Sequence, residues 1–168
     1  MNLHLLRHGV AEDLIPGGGM KDPLRRLTPE GIRKIKRVAK GMQIMEIELD
    51  VILTSPFLRA KETACLVANR YKMEKSVVEM EPLAADGNPK ELIDHLRKQK
   101  KKWGNILLVG HEPYLSRLIS LLISGDCAIP ITLKKGGLCL LSTKSLHYGR
   151  CATLEWLLTP GQNRKLRS

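Results

Sequence analysis

Arg7, His8, Arg59 and His111 are the residues of this 168-residue chain whose types and positions could carry phosphoryl chemistry. Two planar guanidinium forks match the oxygens of a dianionic oxyanion such as phosphate. A neutral imidazole can attack phosphorus and hold the phosphoryl group covalently. His8, directly after Arg7, is the candidate nucleophile. Neighbouring arginines oppose its protonation and favour the form with a free lone pair, an effect that bound phosphate opposes. His111 would donate hydrogen bonds to the group in transfer, neutral or as a cation. Gly9 would let the backbone approach closely. A metal site is disfavoured, because two fixed cations would repel the ion and no carboxylate or Cys completes a ligand set. The chain has no Walker loop, G-x-S-x-G or G-x-G-x-x-G. His4, His95 and His147 read as structural histidines.

These residues can meet only if strand ends bring them together. Residues 2–6 read as an apolar strand ending at Arg7-His8-Gly9. Residues 50–54 read as a second, ending at Ser55-Pro56-Phe57-Leu58-Arg59, and residues 105–109 as another, ending at Gly110-His111-Glu112-Pro113. A weak strand is expected at 77–80, and two late ones at 138–142 and 150–157 around a turn at 145–149. Helices are expected between them. Thr28-Pro29 supplies an N-cap and a first-turn proline, and Ser55-Pro56 repeats that signal for a helix reaching about Tyr71. Pro89 opens a helix to about Lys102, and Pro113 opens an apolar one through Leu122. Strands alternating with helices predict a largely parallel sheet covered on both faces. The last two strands, with no helix between them, predict a hairpin and one antiparallel strand. Open α/β sheets bind ligands beyond the carboxyl ends of their strands, which would gather all four residues on one rim. Arg59 would lie in the first turn of its helix, where free N–H groups also favour an anion. The stretch 13–26, with Gly17-Gly18-Gly19, has no periodicity and reads as a flap beside the site.

Composition narrows the function. With 28 Lys+Arg against 17 Asp+Glu the net charge is +11, which suggests an anionic partner. Much of that charge lies on helical faces, as in Arg33, Lys34, Lys36, Arg37 and Lys40 opposite Ile32, Ile35, Val38, Ala39 and Met42. A second run, Arg97 to Lys102, closes another helix. Both read as solvated faces. Aromatics make up 4% of residues and none interleaves with the basic run, which argues against a stacking surface for single-stranded nucleic acid. The 43% hydrophobic content excludes wholesale disorder, and no stretch reaches the roughly 20 apolar residues of a membrane span. No signal peptide is read at the N-terminus. Cys65, Cys127, Cys139 and Cys151, without a C-x-x-C pair, read as reduced and mostly buried thiols of a cytoplasmic protein.

The blocks that carry the chemistry also carry a likeness. Leu5-Leu6-Arg7-His8-Gly9-Val10-Ala11-Glu12, Leu27-Thr28-Pro29-Glu30-Gly31, Thr54 through Ala64 and Leu107 through Pro113 stand in the order found in the histidine phosphatase superfamily. From residue 1 to about 125 the chain resembles that superfamily's small SixA-type phosphohistidine phosphatases; the late strands fit more loosely. The resemblance implies a three-layer α/β/α sandwich formed by residues 1–168 as one domain. It implies that His8 is the phosphorylated nucleophile, that Arg7, Arg59 and His111 complete the phosphate pocket, and that no metal or other cofactor is required.

The substrate follows from the proton donor. Many members of the superfamily carry an acid after the third strand, which protonates an alkoxide leaving group. Here that segment reads Glu81-Pro82-Leu83-Ala84-Ala85-Asp86-Gly87, without a clear match. Glu81, Asp86 and, near the nucleophile, Glu12 are the candidates. Ester cleavage gains much from a general acid, whereas the P–N bond of phosphohistidine expels an imidazole, a far better leaving group. The expected substrate is therefore phosphohistidine on a protein. The alternatives are a small phosphorylated metabolite, or a non-catalytic module that binds phosphate or nucleic acid. No membrane partner is expected.

Overall fold

The computed structural model describes residues 1–14, 21–99 and 103–165. Six strands form one sheet: β1 (Asn2–Arg7), β2 (Val51–Thr54), β3 (Val77–Glu79), β4 (Asn105–Gly110), β5 (Leu138–Ser142) and β6 (Thr153–Leu158). Their order across the sheet is β3-β2-β4-β1-β5-β6. The pairs β1·β4, β4·β2 and β2·β3 are parallel, whereas β5 runs antiparallel to both β1 and β6. Five helices accompany the strands among the described residues: α1 (Pro29–Ile44), α2 (Leu58–Tyr71), α3 (Pro89–Lys98), α4 (Tyr114–Ser124) and α5 (Pro160–Lys165).

Alternation along the buried strands sends side chains to two cores. Leu3 and Leu5, Val51 and Leu53, and Ile106 and Leu108 face α3 and α4. Leu6, Ile52, Leu107 and Val109 face α1 and α2. Each fully buried Leu or Ile contributes about 1.5–3 kcal/mol. The largely parallel sheet covered on both faces and the lone antiparallel strand match the expectation from pattern, and the three-layer sandwich matches what the resemblance implies.

The sequence signals fix some boundaries and miss others. The Thr28 hydroxyl accepts from the Gly31 amide at 3.0 Å, so Thr28 caps α1 with Pro29 in its first turn. Ser55 does not play the same part for α2, which starts at Leu58 after Phe57; the Ser55 hydroxyl accepts from the Phe57 amide at 3.2 Å and turns toward the site instead. β6 starts at Thr153 rather than 150, because the amides of Cys151 and Ala152 donate to Leu122 O at 2.9 Å and tie that segment to α4. α3 ends at Lys98, and Lys100 to Lys102 lie outside the described residues, as do Gly17 to Gly19 of the expected flap. The thiols are less buried than expected. All four are unbridged, but only Cys139 is buried, with Cys65 and Cys127 exposed. α5 has no counterpart in the sequence reading. No helix among the described residues is long and apolar enough to cross a membrane.

The carboxyl ends of β1, β4 and β2 lie side by side, and the ladder continues past them. His8 N donates to Gly110 O, and Ser55 N to Val109 O, each at 3.0 Å. α1 is clamped against the end of β1 at Gly31, where an added Cβ would stand 2.1 Å from Val10 O. Backbone cannot yield as a side-chain tip can. Gly31→Ala should therefore destabilise the fold by about 1–3 kcal/mol, read as a lower denaturation midpoint, with Gly161→Ala as a control of small effect.

Candidate active site

Three strand ends deliver the four chemistry-bearing residues. β1 supplies Arg7 and is followed by His8. The turn after β2 leads into α2 with Arg59 as its second residue, and β4 is followed by His111. Three of the four side chains are buried, His8 at 6% exposure, Arg59 at 5% and His111 at 1%, and Arg7 is half-buried. The His8 and His111 rings stand 5.0 Å apart, and Phe57 lies 4.9 Å from His111 with the Arg59 guanidinium over its face at 5.1 Å. Thr63 couples β1 to α2, since its hydroxyl accepts from Gly9 N at 3.1 Å and donates to Arg59 O at 2.7 Å.

The hydrogen bonds fix the His8 tautomer. Nδ1 lies 2.7 Å from Gly9 O, and a carbonyl only accepts, so Nδ1 carries the proton. Nε2 therefore presents a lone pair, and Arg59 Nε donates to it at 3.2 Å. Burial, together with the charges of His111, Arg59 and Arg7, lowers the His8 pKa to about 3, against the opposing bond to Gly9. Burial, with Arg59 and Arg7, likewise lowers His111 to about 4, so the free site holds His111 as a neutral ring rather than a cation. Its Nε2 pairs with Ser55 Oγ at 2.7 Å. Arg7 Nη1 donates to Leu133 O at 2.9 Å. Arg7 Nε and His111 Nδ1 are buried without a hydrogen-bond partner among the described residues.

Among the described residues one carboxylate hydrogen-bonds to this cup, and the sequence reading does not single it out, while Glu112 acts on Arg7 through its charge. Asp22 lies in a 3-10 turn, Asp22–Leu24, inside the stretch read only as a flap. Arg59 Nη1 donates to its carbonyl at 2.7 Å and Nη2 to its carboxylate at 2.9 Å, while Arg25 Nη1 donates to the other carboxylate oxygen at 2.9 Å. Burial alone would raise the Asp22 pKa, but the bonds from Arg25 and Arg59 outweigh it and hold the group below the usual carboxylate range. The side chains of Glu12, Glu81 and Asp86 make no hydrogen bond to the four cup residues; Glu81 and Asp86 are exposed and Glu12 is half-buried. The spacing Asp22–Arg25 was the available clue to the missed residue, being an i,i+3 pair at a helical turn. Glu62, in the Thr54–Ala64 stretch, accepts from Leu27 N at 2.6 Å and anchors the segment after the turn.

The sequence profile of the histidine phosphatase superfamily (branch 1) matches residues 3–105, more than half of the chain. The chain belongs to this superfamily. Within histidine phosphatase relatives, the Escherichia coli (strain K12) phosphohistidine phosphatase SixA is 22% identical over 161 residues, covering 95% of this chain and 94% of its own. An uncharacterized protein of Picosynechococcus is 31% identical over 139 residues, 82% of each chain. The fold is similar to that of a protein histidine phosphatase SixA solved with tungstate, at a TM-score of 0.83, 22% identity, and coverage of 96% of this chain and 98% of that one. The histidine phosphatase fold thus extends through the late strands that the sequence blocks left loose.

Depressed histidine pKa values make stability depend on pH. His8, at about 3, and His111 and the buried His4, each at about 4, take up protons in the unfolded chain near 6.5 but not in the folded one. The unfolded state therefore binds more protons between these values, and stability is fully present above pH 6.5 and lost as pH falls toward 4. Urea denaturation at pH 7, 5.5 and 4.5 should show a falling midpoint. His4→Gln should flatten part of that slope.

Proposed function

We propose that this phosphatase of the histidine phosphatase superfamily removes phosphoryl groups from phosphohistidine on a protein, with His8 as the covalent carrier. The observation that carries the reading is an unprotonated imidazole nitrogen together with unspent buried donors. His8 Nε2 accepts only from Arg59 Nε, and Arg7 Nε and His111 Nδ1 are buried without a hydrogen-bond partner among the described residues. Buried donors of this kind are costly unless a ligand satisfies them, and a tetrahedral oxyanion supplies the acceptors. Ser55 Oγ–H can donate to His111 Nε2, and in that tautomer the neutral His111 ring carries its proton on Nδ1, ready to donate. Tungstate bound by the SixA structure is an oxyanion of the same shape, which supports the reading.

In the first step the His8 Nε2 lone pair attacks phosphorus in line. The P–Nε2 bond forms as the substrate P–N bond breaks, and the leaving imidazole, protonated from solvent on its other ring nitrogen beforehand, departs neutral. Arg7, Arg59 and His111 hold the equatorial oxygens as charge spreads over them. The Nδ1–H bond to Gly9 O supports the positive charge that develops on the ring. Water then attacks phosphorus, the P–Nε2 bond breaks, and inorganic phosphate leaves with His8 restored. The carboxylate nearest the cup supports a phosphoramidate substrate. Asp22 is held ionised by two arginines, so it is poorly suited to protonate an alkoxide.

His8→Ala should abolish turnover and the acid-labile phosphoprotein intermediate while leaving the circular dichroism spectrum unchanged; wild-type kcat would remove His8 from the mechanism. Arg59→Ala should lower kcat/KM by about 10²–10³-fold, the scale of a lost oxyanion donor. Asp22→Asn removes an anion that phosphate must displace from Arg59, so inhibition by vanadate should tighten. A panel of phosphohistidine protein, phosphoserine peptide and sugar phosphates tests the substrate. Fast hydrolysis of a sugar phosphate with none of phosphohistidine overturns the proposal.

A further inference from the structure

Beside the cup, and sharing Arg7 with it, lies a second concavity of about 510 Å³ whose rim carries Lys34, Arg37, Lys134 and Lys135, with Pro160 at its far side. The position of these cations is built rather than incidental. Lys134 and Lys135 ride on a segment bonded to the catalytic strand end: Gly136 N donates to Arg7 O at 3.0 Å and His8 O at 3.1 Å, and Arg7 N donates to Gly137 O at 3.1 Å. Gly136 takes φ +76°, and an added Cβ there would meet Ile35 and Pro160 at 3.4 Å. The segment is therefore wedged between α1 and α5. Lys34 and Arg37 stand on the exposed face of α1, and Lys34 is held by Glu30 at 2.6 Å. Among the described residues no carboxylate pairs with Arg37, Lys134 or Lys135.

We infer that this groove is a docking site for carboxylate side chains that flank the phosphorylated histidine on an acidic protein partner, a deepening that rests on the proposed protein substrate. The groove is far larger than one phosphate. Three of its rim cations are lysines, flexible point charges that suit scattered carboxylates rather than one rigid fork. Rim charges of this kind set partner choice and encounter rate and weaken with salt. The rigid link through Gly136 and Gly137 holds the groove at a fixed distance from His8, so an acidic neighbour seated there would present its histidine to the cup. The solvated basic face of α1 thereby acquires a partner for two of its cations.

The test uses the full chain and its Arg37→Glu/Lys134→Glu/Lys135→Glu variant with two peptides around one histidine, one flanked by Asp and Glu, the other by Asn and Gln. Fluorescence anisotropy of the unphosphorylated peptides, at low salt and at about 0.15 M salt, reads docking without any chemistry. Wild type should prefer the acidic peptide by roughly tenfold or more, and the variant should lose that preference. Equal binding of both peptides by wild type, or an acidic preference that survives in the variant, overturns the docking site. So does tighter binding of a single-stranded DNA oligonucleotide of matched charge, which would assign the groove to nucleic acid. Turnover of the phosphorylated peptides is the separate arm. Its failure alongside intact aryl phosphate hydrolysis removes the phosphohistidine substrate, while the anisotropy still decides the groove. Retained aryl phosphate turnover in the variant confirms that it has folded.

Discussion

A histidine in water shares its time between charged and neutral forms near pH 6.5; His8 is relieved of that choice by burial. At 6% exposure, beside Arg7, Arg59 and His111, it keeps Nε2 unprotonated and aimed at a guanidinium. Every other feature of the site serves this imbalance. The neutral ring needs a carbonyl for its Nδ1–H, and Gly9 O supplies it. The desolvated arginines need acceptors, and these come from Leu133 O and from Asp22. Both imidazoles are neutral and Arg59 is paired with Asp22, so a dianion entering the pocket would bring acceptors and charge to Arg7 and compete with Asp22 for Arg59.

The means of holding it are mostly backbone. Past the ends of β1, β2 and β4 the strand ladder runs on through His8, Gly110, Ser55 and Val109, so the turns that carry the candidate site are part of the sheet rather than loose connections. Thr63 ties the β1 end to α2, and the Gly136–Gly137 segment ties it to β5. Fixed supports of this kind are what positions reacting atoms to within fractions of an ångström. Asp22 is the counterpoint. It pairs with the Arg59 fork from a short 3-10 turn rather than from the sheet.

Much of this was legible in the chain itself. The apolar runs at 2–6, 50–54 and 105–109 each end in a polar cluster, and the rule that α/β sheets bind at their carboxyl ends gathers Arg7, His8, Arg59 and His111. The Thr28-Pro29 start and the late hairpin were readable from local chemistry. Ser55-Pro56 misled, because a proline-led helix start looks the same whether the serine caps the helix or turns its hydroxyl to His111. Asp22 could not be picked out, since an aspartate in a stretch without period has no signal until a distant arginine meets it. The exposure of Cys65 and Cys127 also escaped composition, because a thiol is counted apolar wherever its face happens to point.

By itself, then, the sequence determined the alternation of strands and helices, the placing of a polar cluster at the end of each of three strands, and residue types of the kind that can bind an oxyanion. These depend on neighbours within a few positions, where period and capping act. The tertiary structure decided which histidine nitrogen bears the proton, how far both rings are pushed from ionising, which carboxylate answers Arg59, and that Lys134 and Lys135 stand beside the catalytic strand end. Those depend on desolvation and on contacts between residues far apart in the chain, and neither exists until the sheet has closed over them.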